Sequence, residues 1–340
     1  AFKSTISKAG HNGIMIKGAK SIEALNNADT FVFDKTGTLT AGELEVIEVE
    51  SFSKEWSEEE LLNLTASTEE HYFHPVAEAV VKAAKQRGFV HMHHEEVEFI
   101  VAHGVKTEVN GKLVVIGSRH FLEDDEKIDF SEHLEKIEKS IKEGKTLLYI
   151  GYDGKLLGTI TLADEVRSNA KEAISRLKKL GVKNIIMLTG DTKQKAKMIA
   201  DELGIDEIRA ELLPQDKAKI VKELRIQGKK VAFIGDGIND APALISAQVG
   251  ISMSRGADIA KATADISLLK DDIMAVVEAK EYANKTMNLI NNNFNATVGI
   301  NSCILAGATF GVFSPIVTAV LHNGTTIGLL LNSIKGVRIR

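Results

Sequence analysis

The decapeptide Phe31–Thr40, Phe-Val-Phe-Asp-Lys-Thr-Gly-Thr-Leu-Thr, limits the possible folds more than any other part of the chain. An apolar run stops at an acid, and small, hydroxylated and flexible residues follow at once. The pattern predicts a buried strand that ends at its carboxyl edge. In open α/β sheets ligands bind beyond that edge, so Asp34 is expected at the mouth of a sheet, with backbone N–H groups of the turn Thr36–Thr38 around it. A carboxylate so placed can attack a phosphoryl group when Mg²⁺ screens their mutual repulsion. An ordinary Asp turn after a strand has the same local pattern, so the rest of the chain has to decide.

From Ile160 onward the chain alternates helix and strand. Helices are predicted over Asn169–Leu180, Thr192–Leu203 and Gln215–Gln227, and apolar strands over Asn184–Leu188 and Lys230–Ile234. That rhythm implies a doubly wound parallel sheet, to which the all-apolar Phe31 strand belongs. Residues 41–158 read differently. Ser57 with Glu60 forms a capping-box pattern, His74-Pro75 opens a second helix that Gly88 closes, and Asn110-Gly111 and Asp153-Gly154 mark hairpins. This is an inserted α+β domain, and the catalytic fold, 1–40 and 159–275, is interrupted by it and then resumed. Residues 1–27, with scattered Lys and Gly, are expected to be a connector that docks on the sheet.

The later strands also end in polar clusters. Ile185–Leu188 runs into Thr189-Gly190-Asp191, and Val231–Ile234 runs into Gly235-Asp236-Gly237-Ile238-Asn239-Asp240. Asp34 and Asp236 at neighbouring strand ends could share one Mg²⁺, a hard ion that favours oxygen ligands. Lys217, after Pro214, could place positive charge on the same phosphate.

Asp34–Thr40 spells the phosphorylation signature of P-type ATPases, and the clusters above follow in that family's order, within the haloacid-dehalogenase-like fold. The resemblance implies that Asp34, beside Lys35, is phosphorylated and binds Mg²⁺ together with Asp236 and the Thr36 carbonyl. It places Thr189, Gly190, Asp191 and Lys217 at the phosphate, with Asn239 and Asp240 as supports. Thr161–Arg167 is similar to the hinge between the two cytosolic domains, with Asp164 and Arg167 as its polar pair. Soluble phosphatases of this fold, the alternative reading, carry a second Asp two residues after the nucleophile. Thr36 stands there instead, which would leave an acyl phosphate long-lived.

Ser67–Ala77 resembles the His-Pro element of the heavy-metal class, which implies that His74 contacts adenine and Glu69 faces the base edge. This chain departs from the family where Ala102-His103-Gly104 replaces a Gly-x-Gly and where Ser118 replaces the Asn before Arg119. The expected ATP contacts are Glu69, His74, Gly104 and Ser118. The run His91-Met92-His93-His94 invites a metal-site reading, against which stands an incidental stretch of polar surface loop.

No Asp, Glu, Lys or Arg occurs between Lys285 and Lys335. Ala296–Phe313 and Ile316–Asn332, turning at Ser314-Pro315, are each long enough for a bilayer crossing. Lys280 and Lys285 before them, and Lys335, Arg338 and Arg340 after, place both ends on the cytoplasmic side. A C-terminal transmembrane helical hairpin is therefore expected over 276–340. Two buried helices of a soluble protein are the alternative. Polar residues inside such spans mark a pathway or a helix-packing role, here Asn301 and Ser302, then His322, Asn323, Thr325 and Thr326. The heavy-metal class uses its last two helices to help coordinate the ion. Asn301 with His322 and Asn323 departs from both the copper and the zinc and cadmium patterns, so these three are expected contacts on their chemistry. Imidazole with amide suits Mn²⁺, Fe²⁺, Co²⁺ or Zn²⁺ better than Cu⁺.

With 340 residues, 44% of them hydrophobic, two or three domains are expected. A net charge of −5 gives no footprint for nucleic acid. The single cysteine, Cys303, excludes an internal disulfide framework. The first residues read as mid-protein, so the chain is expected to be a segment. By the resemblance it is the phosphorylation, nucleotide-binding and last membrane portion of a multi-pass metal pump of a bacterial plasma membrane, with its catalytic domains cytoplasmic. Its partners would be a transition-metal ion, the bilayer, and the actuator domain and upstream helices of the same pump.

Overall fold

In the computed structural model the chain is described at all residues except 71–73, 101–102, 143–144, 237–239, 255–257, 338 and 340, with residues 142, 258 and 259 described by their backbone alone. In chain order the elements are α1 (Phe2–His11), β1 (Ile14–Ile16), α2 (Ala19–Asn27), β2 (Thr30–Asp34) and β3 (Thr40–Ser51), then α3 (Glu58–Glu69), α4 (Pro75–Gln86), β4 (Glu98–Ile100), β5 (Gly104–Val109) and β6 (Lys112–Gly117). There follow α5 (Leu134–Lys142), β7 (Thr146–Tyr152), β8 (Lys155–Val166), α6 (Ala170–Lys179), β9 (Asn184–Leu188), α7 (Lys193–Leu203), β10 (Glu207–Arg209), α8 (Pro214–Ile226) and β11 (Val231–Gly235). The chain closes with α9 (Ala241–Ser246), β12 (Val249–Ser252), α10 (Asp258–Thr263), β13 (Ile266–Leu268), α11 (Met274–Thr309) and α12 (Pro315–Lys335). Two compact units result, one of Ala1–Leu39 with Arg167–Arg340, the other of Thr40–Val166.

The first unit is built on a seven-stranded sheet in the order β1-β13-β12-β11-β2-β9-β10. Every neighbour pair is parallel except β1 with β13. The central strands are covered on both faces, which is why β2, β11 and β12 are buried along their whole lengths. Helix α6 shows how a covering helix is specified: Ala170, Ala173, Ile174 and Leu177, at helical spacing, are its buried residues. The expected connector is ordered structure. β1 adds an antiparallel edge, and Lys280 of α11 donates to the carbonyls of Leu25, Asn26 and Ala28 at 2.8, 2.8 and 3.0 Å, closing the C-terminal end of α2 just before β2 begins.

The second unit is an antiparallel sheet, β3-β8-β7-β6-β5-β4, with α3 and α4 against it and a core of residues such as Leu61, Val80, Val114 and Ile160. Ser57 and Glu60 make the reciprocal capping box. Asn110 with Gly111, and Asp153 with Gly154, take positive φ at the two hairpin turns. The expected boundary at residue 158 needs correction. β8 continues unbroken to Val166 because it pairs with β3 as far as Thr40, so the divide falls between Val166 and Arg167.

The C-terminal helices form a hairpin whose turn lies at 310–314, with the Ser314 hydroxyl accepting from the Val317 N–H. The first expected crossing is the distal part of α11, whose proximal part packs in the first unit through Val276, Tyr282 and Ala283. Helix α12 buries no residue, and Leu305, Phe310, Ile316, Val320 and Leu331 are exposed. Among the described residues no helix is long and apolar enough to cross a membrane.

Candidate active site

β2 delivers Asp34 to the carboxyl edge of the sheet with its side chain only 9% exposed. The chain then turns sharply: Gly37 takes φ +72°, and a Cβ there would lie 1.7 Å from Asp236 Oδ2, so only glycine lets the turn approach the end of β11. Arg167 fixes the turn from beneath, its guanidinium donating to the carbonyls of Gly37 at 3.3 Å and Thr38 at 2.9 Å while pairing with Asp271 at 2.7 Å.

Three carboxylates meet at this edge. Oxygens of Asp34, Asp236 and Asp240 lie within 4.8 Å of one another. Lys217, in the first turn of α8, places its Nζ 2.8 Å from Asp34 Oδ1 and 2.7 Å from Asp240 Oδ1. Burial, then the Asp240 charge, pushes Asp34 up to about 7 against the opposing pull of Lys217. The same two causes raise Asp236 to about 6. Burial alone would lower Lys217, yet Asp34 and Asp240 hold it above its ordinary value. Three acids facing one ammonium are what a hard dication would relieve, so the donor set fits Mg²⁺. Among the described residues the buried Thr38 hydroxyl has no hydrogen-bond partner.

Beside these groups, Lys35 Nζ lies 2.9 Å from Asp191 Oδ2, and the Thr189 hydroxyl accepts from the Asp191 N–H at 3.0 Å. Thr189 is buried, whereas Gly190 and the Thr36 side chain are exposed. Of the residues singled out in the sequence, Asp34, Lys35, Thr36, Thr189, Gly190, Asp191, Lys217, Asp236 and Asp240 thus lie at the ends of β2, β9 and β11 or in the first turn of α8. Asn239 lies outside the described residues.

The second unit holds a cavity of about 310 Å³ lined by Glu69, His74, Gly104 and Ser118, with Phe99, Ile100, Leu147 and Leu148 among its apolar walls. His74 caps α4, its Nδ1 accepting from the Val76 N–H at 3.3 Å, which leaves Nε2 to carry the proton. Glu69, at the end of α3, is pushed up to about 7 by burial. Gly104 cannot carry a side chain, since a Cβ would sit 2.0 Å from the Ile116 carbonyl. Ala102 and His71–Phe73 lie outside the described residues.

On the hairpin, His322 Nδ1 and Asn301 Oδ1 are 3.0 Å apart. Asn323 is exposed and does not join them, because neighbouring residues on a helix point about 100° apart. A second polar seam was not foreseen: Asn293 Nδ2 donates to the Ser333 hydroxyl, and Asn332 Nδ2 to Asn293 Oδ1, both at 2.8 Å. Arg338 and Arg340 lie outside the described residues.

A family profile described as haloacid dehalogenase-like hydrolase matches residues 28–248, which takes in the whole run from β2 to the end of α9. The chain belongs to the haloacid dehalogenase-like hydrolases. Within that family its curated relatives are heavy-metal P-type ATPases. It is 38% identical to the zinc-exporting P-type ATPase of Mycobacterium marinum over 341 residues, covering 100% of this chain and 47% of that protein. It is 38% identical to the manganese-exporting P-type ATPase of Mycobacterium bovis over 342 residues, covering 100% of this chain and 48% of that protein. Among solved structures, a zinc-transporting PIB-type ATPase matches with a TM-score of 0.89 at 34% identity, over 99% of this chain and 54% of the other. The chain spans about half the length of the curated relatives it matches.

In this haloacid dehalogenase-like chain the divide between the two units, after Val166, falls within Thr161–Arg167, the stretch expected to be the hinge. Its two polar residues serve opposite sides of that divide. Asp164 accepts from the Thr40 hydroxyl and the Gly42 N–H, while Arg167 serves the Gly37–Thr38 turn. The hold of Arg167 on that turn had no signal in the sequence, because its acceptors there are the main-chain carbonyls of Gly37 and Thr38.

Proposed function

We propose that this chain is the catalytic portion of a heavy-metal-exporting P-type ATPase, in which Asp34 takes the terminal phosphoryl group of ATP. The single observation that carries the reading is the buried Asp34 carboxylate held by Lys217 and flanked by Asp236 and Asp240. Asp34 Oδ attacks the γ-phosphorus, the bond to the bridging oxygen breaks, and ADP leaves with that electron pair. Lys217 supplies positive charge to the transferred group. Asp34, Asp236 and the Thr36 carbonyl would hold Mg²⁺, with Asp240 behind them. Bound there, the ion neutralises phosphate charge so that two anions can approach. Lys35 and Asp191 fix each other, and Thr189 holds the loop that faces the phosphoryl oxygens.

The cavity in the second unit suits the adenine ring: apolar walls for the ring faces, and Glu69 and His74 for its polar edge. On this reading Thr40–Val166 is the nucleotide-binding domain. No carboxylate stands two residues after Asp34, where a phosphatase of this fold would keep its general acid/base. The acyl phosphate therefore lacks that route to hydrolysis and persists. Its removal falls to an actuator domain outside this sequence.

The hairpin is read as membrane-embedded, with both ends cytoplasmic and its polar side toward upstream helices of the same pump. The exposed apolar side chains of α11 and α12 and the uncharged run support this. The polar positions that lower its hydropathy are those expected to line a pathway in a bundle. Asn301 and His322 are the proposed contacts for the exported divalent transition-metal ion, to the bacterial exterior.

In the full-length protein, brief incubation with γ-labelled ATP, Mg²⁺ and transition metal should leave acid-stable, hydroxylamine-sensitive label that Asp34→Asn abolishes. Turnover of a small phosphate ester without trapped label would favour a phosphatase instead.

A further inference from the structure

We propose that His103, His120 and Asp125 form a separate divalent transition-metal site on the second unit. Ligand atoms of the three lie within 4.8 Å of one another. His103 Nδ1 is 3.3 Å from Asp125 Oδ2, and the rings of His103 and His120 stand 5.7 Å apart. Backbone register creates this cluster: Gly104 pairs with Gly117 across the β5–β6 hairpin. Side chains at either position would collide, since a Cβ on Gly117 would lie 2.3 Å from the His103 carbonyl. The two glycines thus bring the turn at His103 against the short helical segment Phe121–Asp125.

The acids of that segment divide their partners in a telling way. Of the run Glu123-Asp124-Asp125-Glu126, Glu123 is taken by Arg119 at 2.6 Å and Glu126 by Lys106. The outer two acids thus pair with Lys106 and Arg119, and the two central ones face the histidines. Asp125 faces His103. Asp124 pairs with His120 Nδ1 at 2.7 Å, leaving Nε2 available to coordinate. A carboxylate behind an imidazole is the arrangement that orients a metal-binding histidine and raises its basicity. Two imidazoles, one carboxylate and water suit Zn²⁺, Co²⁺ or Ni²⁺, whereas Mg²⁺ prefers all-oxygen sites and Cu⁺ prefers sulfur. By contrast, His91 pairs with Glu70 and lies 5.4 Å from the His94 ring, with no third ligand among the described residues.

His103 also lines the cavity that holds Glu69 and His74. An ion on His103 fixes part of that wall, so metal and nucleotide affinities must couple reciprocally. This clause rests on the nucleotide reading, while the site itself does not.

The test is Co²⁺ titration of the full chain at pH 7.5 with excess Mg²⁺, followed by visible absorption. The wild type should bind one more Co²⁺ equivalent than His120→Ala or Asp125→Asn. Asp124→Asn should weaken that equivalent roughly tenfold. His91→Ala should leave the count unchanged. Equal stoichiometry and spectra in the wild type and the His120 and Asp125 variants, with unchanged circular dichroism, overturn the site. Affinity for a fluorescent ATP analogue, measured without transition metal, tests the nucleotide reading separately. Addition of Zn²⁺ should shift that affinity several-fold in the wild type and leave His120→Ala unmoved, and no shift in the wild type would remove the coupling.

Discussion

Replacing Glu69 by Gln should remove a pH dependence that its burial imposes. Burial raises this carboxyl from 4.5 to about 7, so ionising it in the folded chain is less favourable by about 3 kcal/mol than in the unfolded one. Between those values the folded chain keeps a proton that the unfolded chain has lost, so stability falls as pH rises from about 4.5 to about 7 and is then flat. Glu69→Gln should match the wild type near pH 4.5 and exceed it by up to about 3 kcal/mol at pH 8. Nucleotide binding should follow the same titration. A neutral carboxyl offers one donor and one acceptor, the complement of adenine's ring nitrogen and exocyclic amine. ATP-analogue affinity should therefore drop as pH passes about 7 in the wild type and stay level in the variant. Denaturant titrations and fluorescence binding at pH 5, 7 and 8 measure both. Parallel stability curves for the two proteins, or a wild-type affinity indifferent to pH, would refute the reasoning.

Three further substitutions probe other parts of the account. Gly37→Ala forces a Cβ to 1.7 Å from Asp236 Oδ2 at φ +72°, so the Mg²⁺ concentration needed for phosphorylation should rise at least about tenfold, read from a Mg²⁺ titration. Lys280→Met removes the ammonium that donates to the carbonyls of Leu25, Asn26 and Ala28 and should cost about 3 kcal/mol, read from the denaturation midpoint. Asn301→Leu or His322→Leu should abolish stimulation of ATP hydrolysis by transition metal in the full-length protein while sparing analogue binding by the second unit, measured in the same preparation.

Much of the catalytic fold was legible because the signals are local. β9 spans the predicted Asn184–Leu188, and Ser57, His74, Asn110-Gly111 and Asp153-Gly154 act as caps and turns where their chemistry requires. Asp34, Asp236 and Lys217 were legible as strand-end and helix-start residues of an α/β sheet. What escaped depends on distant partners. β1 has three residues and is a strand only because β13, some 250 positions later, pairs with it. The end of β8 is set by its pairing with β3, so propensity around Leu162 could not locate the boundary. Asn301 and His322 meet, but helical phase turns Asn323 away, a distinction that residue type alone does not carry. His103, His120 and Asp125 escaped because the hairpin register, not their spacing, joins them.

The most direct test of the central claim is chemical identification of the modified residue. Full-length protein quenched after seconds with ATP, Mg²⁺ and transition metal, then reduced with borohydride, should yield a peptide in which residue 34 is homoserine, the reduction product of an aspartyl phosphate. Homoserine at residue 34 in ATP-treated samples and not in ATP-free controls is the predicted result. An unmodified aspartate at 34, or the label on Asp191, Asp236 or Asp240, would contradict the account.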